Sequence, residues 1–258
     1  MRAAWLVAGA VVTVFALLVS TALLWREFAR ARTPSDTTLR SIPFDQQEVR
    51  VKAGKGQVNL FIMPGRAGEL LIQRSLRWSR DRPTVTEDWD IRSRTLRLDA
   101  VCPGYDQPDG PVCQADYLVS VPPETDIEAS TTGGELNVNR VFGSVRLSSV
   151  SGNVHVRDLS GPLWARTGTG KVDAEGLDGE QADVEVGFGD VELSFVNAPT
   201  SVKAVVRTSG DVRVAVPPVP YQVTADAAET FLDVRKDAAA PRKIIAKAPS
   251  GVVTLCCR

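Results

Sequence analysis

The chain of 258 residues has a single histidine, a formal net charge of −1 and only 6% aromatic residues. One histidine excludes zinc sites built from several imidazoles and argues against hydrolysis by a histidine base. The near-neutral charge differs from the positive excess of nucleic-acid-binding domains, so we expect no nucleic-acid partner. A hydrophobic content of 43% is too high for a disordered chain. These scarcities leave a globular protein for which we expect no cofactor and no bound metal.

Charge is absent from the segment Ala3 to Trp25, which is rich in Val, Leu and Ala. About 20 apolar residues cross a bilayer as a helix, because the hydrocarbon core offers no water to unpaired backbone groups. Trp5 and Trp25 stand near its ends, where the membrane interface favours aromatic rings. The pattern predicts an N-terminal transmembrane helix within an anchor over 1–30. A cleaved signal peptide is the alternative, although its apolar region usually spans only about 7–15 residues.

The flanking charges leave the orientation of this anchor open. Arg26, Arg30 and Arg32 follow it, and the positive-inside rule alone would keep the C-terminal part in the cytoplasm. Long domains cross membranes largely regardless of such charges, and the cysteines favour export. We therefore expect a single-pass protein of the cell membrane, with a juxtamembrane tether over 31–44 and an extracytoplasmic domain over 45–258.

Cys102 and Cys113 flank an insert rich in Pro, Gly and Asp, with strand-like segments on both sides. Such residues form turns, so the economical interpretation is a hairpin loop closed by a disulfide. Disulfides persist outside the cytosol, which favours an extracytoplasmic location. Two unpaired buried thiols are the alternative. A metal site is disfavoured because the spacing contains no C-x-x-C pair.

Cys256 and Cys257 are adjacent, and neighbours in a strand point to opposite faces. The pattern places Val253, Leu255 and Cys257 on one face and Cys256 on the other. One buried and one exposed thiol is the simple interpretation. An intermolecular disulfide through Cys256 is the alternative, and the sequence does not decide the role of this pair.

Glycine recurs with regular spacing in the second half of the chain. The positions are nine residues apart as far as 179, and the set is Gly134, Gly143, Gly152, Gly161, Gly170, Gly179, Gly189 and Gly210. Counting each glycine as one, positions three and five are apolar, and position eight is apolar in most units, as at Val141, Val150 and Leu159. Two kinds of unit alternate, so the full repeat holds about 18 residues and two strands, most regularly over about 130–216.

A repeat this short cannot bury its own apolar face, whereas stacked copies can. The sequence therefore predicts an all-β, single-chain β-solenoid with inward Val and Leu in columns and glycines at tight corners that need a positive φ. A β-sandwich of irregular strands is the alternative, but its strands have no reason to keep a nine-residue register.

Several motifs match those of a known family. They are the strand segment from Tyr117 to Pro123, the stretch from Thr132 to Val138, Ser-Gly-Asn-Val at 151–154, Gly-Asp-Val-Glu-Leu at 189–193 and Ser-Gly-Asp-Val-Arg-Val at 209–214. In this layout the chain resembles the bacterial putative-adhesin family of membrane-attached β-solenoid domains of unknown function. The resemblance covers about 45–258 and implies the fold more strongly than an activity, because the matching residues form corners and core.

The sequence contains no complete catalytic or ion-binding motif. Calcium-binding β-rolls repeat an aspartate in every coil, whereas Pro162 and Lys171 interrupt the column that follows the glycines, so a regular ladder of ions is excluded. Asp190 and Asp211 are expected to form a solvated face, and a pair that attracts a stray cation is the alternative. The segment 166–171 imitates a phosphate loop, but Val172 stands where the Mg²⁺-binding hydroxyl belongs. His155 lies between two inward valines and is expected to face solvent, with Ser149 and Ser151 nearby in sequence.

The outward-facing positions form a mixed column. Its expected members are Asn137, Arg146, His155, Trp164 and Asp173. Trp164 could stack on a sugar or on a protein partner, and the alternative is that it only covers a corner of the stack.

We therefore expect a non-catalytic, adhesin-like scaffold of the cell envelope that binds an envelope protein or a polysaccharide. The alternatives are an envelope-sensing regulatory ectodomain that acts through a membrane partner, or a carbohydrate-active enzyme. The sequence leaves the oligomeric state open.

Overall fold

The computed structural model describes residues 13–25, 34–104, 107 and 110–257. Within these residues a helix over 13–25 precedes nineteen β-strands. The strands are β1 (Ser35–Pro43), β2 (Glu48–Ala53), β3 (Val58–Pro64), β4 (Glu69–Trp78), β5 (Thr84–Asp90), β6 (Thr95–Val101), β7 (Cys113–Val121), β8 (Asp126–Thr131), β9 (Leu136–Asn139), β10 (Val145–Ser151), β11 (Val154–Arg157), β12 (Leu163–Thr169), β13 (Val172–Leu177), β14 (Gln181–Phe188), β15 (Val191–Phe195), β16 (Ser201–Ser209), β17 (Val212–Val216), β18 (Gln222–Leu232) and β19 (Lys243–Cys257).

The strands wind into a β-solenoid in which each coil contributes one strand to each of two faces. Face 1 contains β6, β2, β8, β10, β12, β14, β16 and the first halves of β19 and β18, in this spatial order. Face 2 contains β7, β3, β9, β11, β13, β15, β17 and the second halves of β19 and β18. Neighbouring strands in both series are parallel. The predicted β-solenoid is confirmed.

The 18-residue repeat sets the register between coils. Val145 pairs with Leu163, and Val154 pairs with Val172, both 18 residues apart. The interval grows to 19 where Leu163 pairs with Ala182. Positions three and five point inward as predicted, so that Val154 and Val156 are fully buried.

Position eight behaves differently in the two kinds of unit. Val141 and Leu159 are buried, but Val150 is 64% exposed, and its predicted inward position is wrong. The reason is that the two corners of a coil differ. Val141 and Leu159 follow strands of face 2, whereas Val150 lies in β10 at the end of a face 1 strand.

The glycines permit the backbones of successive coils to approach closely at the corners. Gly152 has φ of 142° and belongs to the set with positive φ, which also includes Gly134, Gly170, Gly189 and Gly210. Gly143, Gly161 and Gly179 are not in that set, so the prediction that every corner glycine needs a positive φ is wrong at these three positions. At these positions glycine is required because the backbone of the preceding coil lies too close for a side chain. A Cβ at Gly161 would lie 2.1 Å from the carbonyl oxygen of Gly143.

The N-terminal end of the stack is covered by antiparallel strands. β5 pairs with β6 at the edge of face 1, and β4 and β1 extend face 2 beyond β7. The tether expected over 31–44 is therefore wrong for most of its length, because Ser35–Pro43 forms β1. β1 is held by its ladder with β4, which runs from Ser35 opposite Arg77 to Pro43 opposite Glu69.

An ion-pair network closes this end between the two faces. Arg74 of β4 points inward and its guanidinium contacts Glu87 of β5 at 2.6 Å and Asp36 of β1 at 3.6 Å. Phe44 packs edge-to-face on Trp89 beside it. Burial, followed by the nearby Glu87 carboxylate, raises the pKa of Tyr117 and keeps its phenol neutral. Because Arg74 is largely withdrawn from water, removing both carboxylates would leave a buried unpaired charge.

The predicted disulfide between Cys102 and Cys113 is confirmed, with the two Cα atoms 5.9 Å apart. The predicted hairpin is wrong. β6 pairs with β5 and β2, while β7 pairs with β3 and β4, and the described residues contain no ladder between β6 and β7. The bond therefore joins the two faces at a corner of one coil.

Near the C-terminal end Val253 and Leu255 are buried, while Cys256 is partly exposed with a free thiol, as the alternation predicts. The side chain of Cys257 lies outside the described residues. The chain leaves β17, forms β18 as the outermost coil, and returns as β19 between them.

The predicted transmembrane anchor lies in part outside the described residues. Its described portion is the helix over 13–25. Among the described residues no helix combines the length and apolar character needed to span a bilayer.

We expect the Leu147→Asp variant to lose at least about 4 kcal/mol of unfolding free energy, because Leu147 is fully buried and a carboxylate there would have no partner. Ser148→Asp is the matched control, since Ser148 is exposed and lies in register with Arg166. Its stability should stay within about 0.5 kcal/mol of the parent. Urea unfolding followed by circular dichroism measures both, and a cooperative, stable Leu147→Asp variant would refute the register.

We also expect Gly161→Ala to cost about 1–3 kcal/mol, because its new methyl group collides with the backbone of the preceding coil. Gly133→Ala is the control, since its Cβ would meet nothing closer than 3.8 Å. Thermal unfolding of the two variants checks this difference. Equal melting temperatures would show that close coil contact is not what requires glycine at position 161.

Candidate functional site

The outward column expected from the sequence splits into two. Arg146 and Trp164 pair in register on face 1, whereas Asn137, His155 and Asp173 pair in register on face 2. The split follows from the fold, since successive nine-residue units lie on opposite faces. Each face therefore carries its own series of side chains at the spacing of parallel strands, about 4.8 Å.

Face 1 carries a cluster centred on Trp164, here called the Trp164 cluster, whose members are Arg146, Trp164, Arg166, Asp183, Glu185 and Lys203. The Cζ atom of Arg166 lies 4.4 Å from the centroid of the indole ring, and that of Arg146 lies 5.0 Å from it. Both distances lie within the range of cation–π attraction. The half-buried ring is thereby held between two guanidinium groups.

Ion pairs fix most of the charges in this cluster. Arg166 contacts Asp183 at 2.9 Å and Glu185 at 3.5 Å, and it also donates to the Asp183 carbonyl oxygen at 2.8 Å. Lys203 approaches Asp183 at 3.5 Å, and Arg207 pairs with Glu185. These contacts leave little freedom to the Arg166 guanidinium and present it in a constant orientation.

Arg146 is the exposed cation of the Trp164 cluster. Within the part of the chain that the structure describes it has no ion-pair partner, although Glu128 lies in register beside it, and its guanidinium stands over the Trp164 ring. A shallow groove of about 420 Å³ runs past Arg146, Trp164, Asp183 and Lys203. An aromatic ring and an unpaired guanidinium that line a shallow groove can hold a flat, hydroxylated and negatively charged ligand.

Face 2 carries a second charged series at the same levels of the stack. Lys171 contacts Asp173 at 3.6 Å and also pairs with Glu192, which Arg213 contacts at 3.0 Å. The hydrogen bond from Lys171 lowers the pKa of Glu192, and the same bond raises the pKa of Lys171. Opposite charges alternate along this series and satisfy one another, so it offers fewer free groups than the Trp164 cluster.

Asp190 and Asp211, considered above as a cation pair, have a structural role. Asp190 accepts a hydrogen bond from the Asp211 N–H at 2.9 Å, and Asp211 accepts one from the Val252 N–H at 2.8 Å. Asn153 accepts the Lys171 N–H in the same way at 3.0 Å. Each side chain thus holds the corner of the next coil. Among the described residues, no group of three acidic, His or Cys side chains is arranged for a metal ion.

His155 lies half-buried on face 2, with its Nδ1 atom 3.9 Å from Asp173. Ser149 is inward on face 1 and only 5% exposed. The two residues therefore lie on opposite faces, and the fold does not bring them within proton-transfer distance. Segment 166–171 runs along β12 and the following corner, where Arg166 serves the Trp164 cluster.

Sequence reasoning missed Asp183, Glu185 and Lys203 as neighbours of Trp164. The register there stretches from 18 to 19 and then to 20 residues, as in the pairing of Asp183 with Lys203. A search allowing one inserted residue per coil, guided by the buried Ala182 and Val184, would have aligned them.

The sequence profile of the Toastrack DUF4097 family matches residues 112–251. The search of curated proteins found no significant match. Among solved structures, one similar chain is described as "a putative adhesin (BF0245) from Bacteroides fragilis NCTC 9343", with 13% identity, a TM-score of 0.39 and coverage of 85% of this chain and 97% of that one. Another is "a putative cell adhesion protein from Clostridium sporogenes ATCC 15579", with 11% identity, a TM-score of 0.37 and coverage of 88% and 100%.

We expect acid to weaken the pairing on face 2. Because the pKa of Glu192 is lowered in the folded state, its contribution is present above the ordinary carboxyl value and is lost as pH falls through the lowered value. Glu192→Gln should therefore cost less than about 1 kcal/mol at pH 7, since both partners are partly exposed, and nothing once the carboxylate is protonated. Urea unfolding at pH 7 and pH 3 compares the variant with the parent. An equal loss at both values would contradict the pairing.

Proposed function

The chain belongs to the Toastrack DUF4097 family, and on this premise we propose that it is a membrane-anchored, extracytoplasmic, adhesin-like scaffold that binds a partner without transforming it. Its role is to present side chains at fixed spacing on a rigid stack. The family itself has no assigned activity, so the proposal depends on the surface and on the N-terminal sequence.

The Trp164 cluster is the observation that carries the binding role. Arg146 and Trp164 are displayed on a parallel ladder whose backbone is fixed by pairing on both sides. A preorganised surface binds with less loss of conformational entropy than a mobile loop. The combination of a ring with unpaired positive charge selects acidic polysaccharide of the envelope as the partner class, in preference to a neutral glycan.

Two features support the location. The apolar segment from Ala3 to Trp25 has the composition of a membrane anchor. The Cys102–Cys113 disulfide belongs to proteins of oxidising compartments. An anchor at the beginning of the chain would hold the solenoid at the outer surface of the membrane.

The binding role is tested with the full chain in detergent micelles, using pulldown on an acidic polysaccharide and on a neutral one of the same length. We expect retention on the acidic polymer, reduced about tenfold by Trp164→Ala or Arg146→Gln. Arg157→Gln is the control, because Arg157 is an exposed arginine of face 2, remote from the Trp164 cluster. Equal retention on both polymers, or unchanged retention by the Trp164 and Arg146 variants, would refute the binding site. Shortening of the polymer would refute the absence of catalysis.

The location is tested on intact cells. We expect the mature protein to keep its N-terminal residues by mass spectrometry, to resist extraction from membranes at high pH, and to be accessible to added protease. Deletion of 1–30 should release it from the membrane fraction. A shortened mature mass would instead identify a signal peptide, and complete protection from protease would place the solenoid on the cytoplasmic side.

A further inference from the structure

The C-terminal end of the solenoid is formed by β18, which pairs with β19 along one edge. No other strand among the described residues pairs with β18. Unpaired strand edges present free N–H and C=O groups and readily recruit another strand. The N-terminal end also finishes in edge strands, because among the described residues β1 pairs only with β4 and β5 only with β6. The two ends differ in that the ion pair between Arg74 and Glu87 closes the core at the N-terminal end.

The backbone groups that face outward from β18 can be identified. The Gln222 N–H donates to the carbonyl oxygen of Arg242, and the Asp233 N–H donates to the carbonyl oxygen of Leu255. The backbone N–H groups of Gln222 and Asp233 therefore point toward the β19 side. The direction of the backbone N–H and C=O groups alternates from residue to residue along a strand, and in β18 this alternation has one irregularity, between Ala227 and Glu229. The N–H and C=O groups that face away from β19 are those of Val223, Ala225, Ala227, Thr230 and Leu232.

The side chains at this end reinforce the contrast. Val223, Ala225, Ala227 and Leu232 pack against the core on one side but remain only half-buried, because no further coil covers them. Phe231 is 60% exposed on the outer side of face 2. The core thus ends in half-buried apolar side chains and unpaired peptide groups. Contact with another coil would bury the apolar surface and provide hydrogen-bond partners for the peptide groups.

We propose that β18 pairs with the β18 strand of a second copy of this chain, antiparallel, about a two-fold axis perpendicular to the solenoid axis. The irregularity between Ala227 and Glu229 divides β18 between face 1 and face 2. A straight peptide from another protein can pair with one half, whereas a coil with the same bend can pair with both. The matching end of a second copy is such a coil.

The charges and the other end of the stack favour this two-fold arrangement. An axis near Ala225 sets Asp226 of one copy opposite Thr224 of the other, so the carboxylates do not face each other. Asp226 is also accompanied by Lys247 at 3.6 Å. Head-to-tail stacking would set the apolar side chains of β18 against the N-terminal end, which also has open strand edges but whose core is closed by the ion pair between Arg74 and Glu87. The two-fold arrangement instead sets apolar side chains against apolar side chains and uses both open β18 edges. Pairing therefore stops at two copies.

This interface goes beyond the proposed function, since it involves the end of the stack and neither the groove nor the Trp164 cluster. A single coil end is small compared with stable interfaces, which bury about 1,600 Å² in total. The association is therefore weak and depends on concentration.

The first test is sedimentation of the full chain in detergent micelles over about a hundredfold range of concentration. We expect reversible dimers, and Ala225→Pro should lower the association constant at least tenfold, because proline removes an outward N–H while leaving the ladder to β19 intact. Ala238→Pro is the matched control, since Ala238 follows Asp237 in a turn closed by the Ala240 N–H, where proline is favoured. A monomer at all concentrations, or equal association of the parent and Ala225→Pro, would overturn the proposal.

A second measurement uses the parent protein and does not depend on the folding of a variant. Amide hydrogen exchange of the peptide covering β18 should slow by about threefold or more between the lowest and highest concentrations. The peptides covering β1 and β5 serve as internal references. Unchanged exchange in β18, or slowing in β1 or β5 in place of β18, would show that the copies associate elsewhere.

Discussion

Close approach between the backbones of successive coils is the constraint on which the structure depends. A parallel ladder fixes the distance between coils, and the corners must fit within that distance. At Gly152 and Gly161 the carbonyl oxygen of the preceding coil occupies the space of a Cβ. Any larger residue would push the coils apart locally and lengthen the ladder hydrogen bonds on either side. The inward Val and Leu side chains of successive coils contact one another because the glycine corners allow the coils to lie this close together.

The inward residues are constrained by this spacing, while the outward ones are free to differ between the faces. Arg166 and Trp164 on face 1, and Lys171 and Glu192 on face 2, lie on equivalent supports but make unlike surfaces. A surface of this kind changes its partner by exchange of outward side chains without disturbing the core. The fold thus accounts for rigidity and spacing, and the chemistry of binding comes from a few residues such as Arg146.

The sequence predicted the parts of the fold that repeat locally. The inward position of Val154 follows from the alternation of apolar and polar residues, and the corner at Gly134 follows from the nine-residue spacing of the glycines. Both patterns can be read from one sequence. The antiparallel strands β1 and β5 and the inverted order of β18 and β19 arise from pairing between distant segments, which leaves no periodic trace. Arg74 is instructive, since it interrupts the inward series Ile72 and Leu76 and so marks a closing ion pair. For the site, Trp164 was recognised, but its partner Asp183 was hidden by the inserted residue.

The placement of β19 between β17 and β18 has a consequence for how the chain reaches its native state. A ribosome releases β18 before β19, yet β18 has its only described ladder with β19. β18 therefore stays unpaired until β19 has emerged and has taken its position against β16 and β17. Sequential winding from one end accounts for the coils from β8 to β17, but the closing step is a cooperative joining of two strands to a preformed edge.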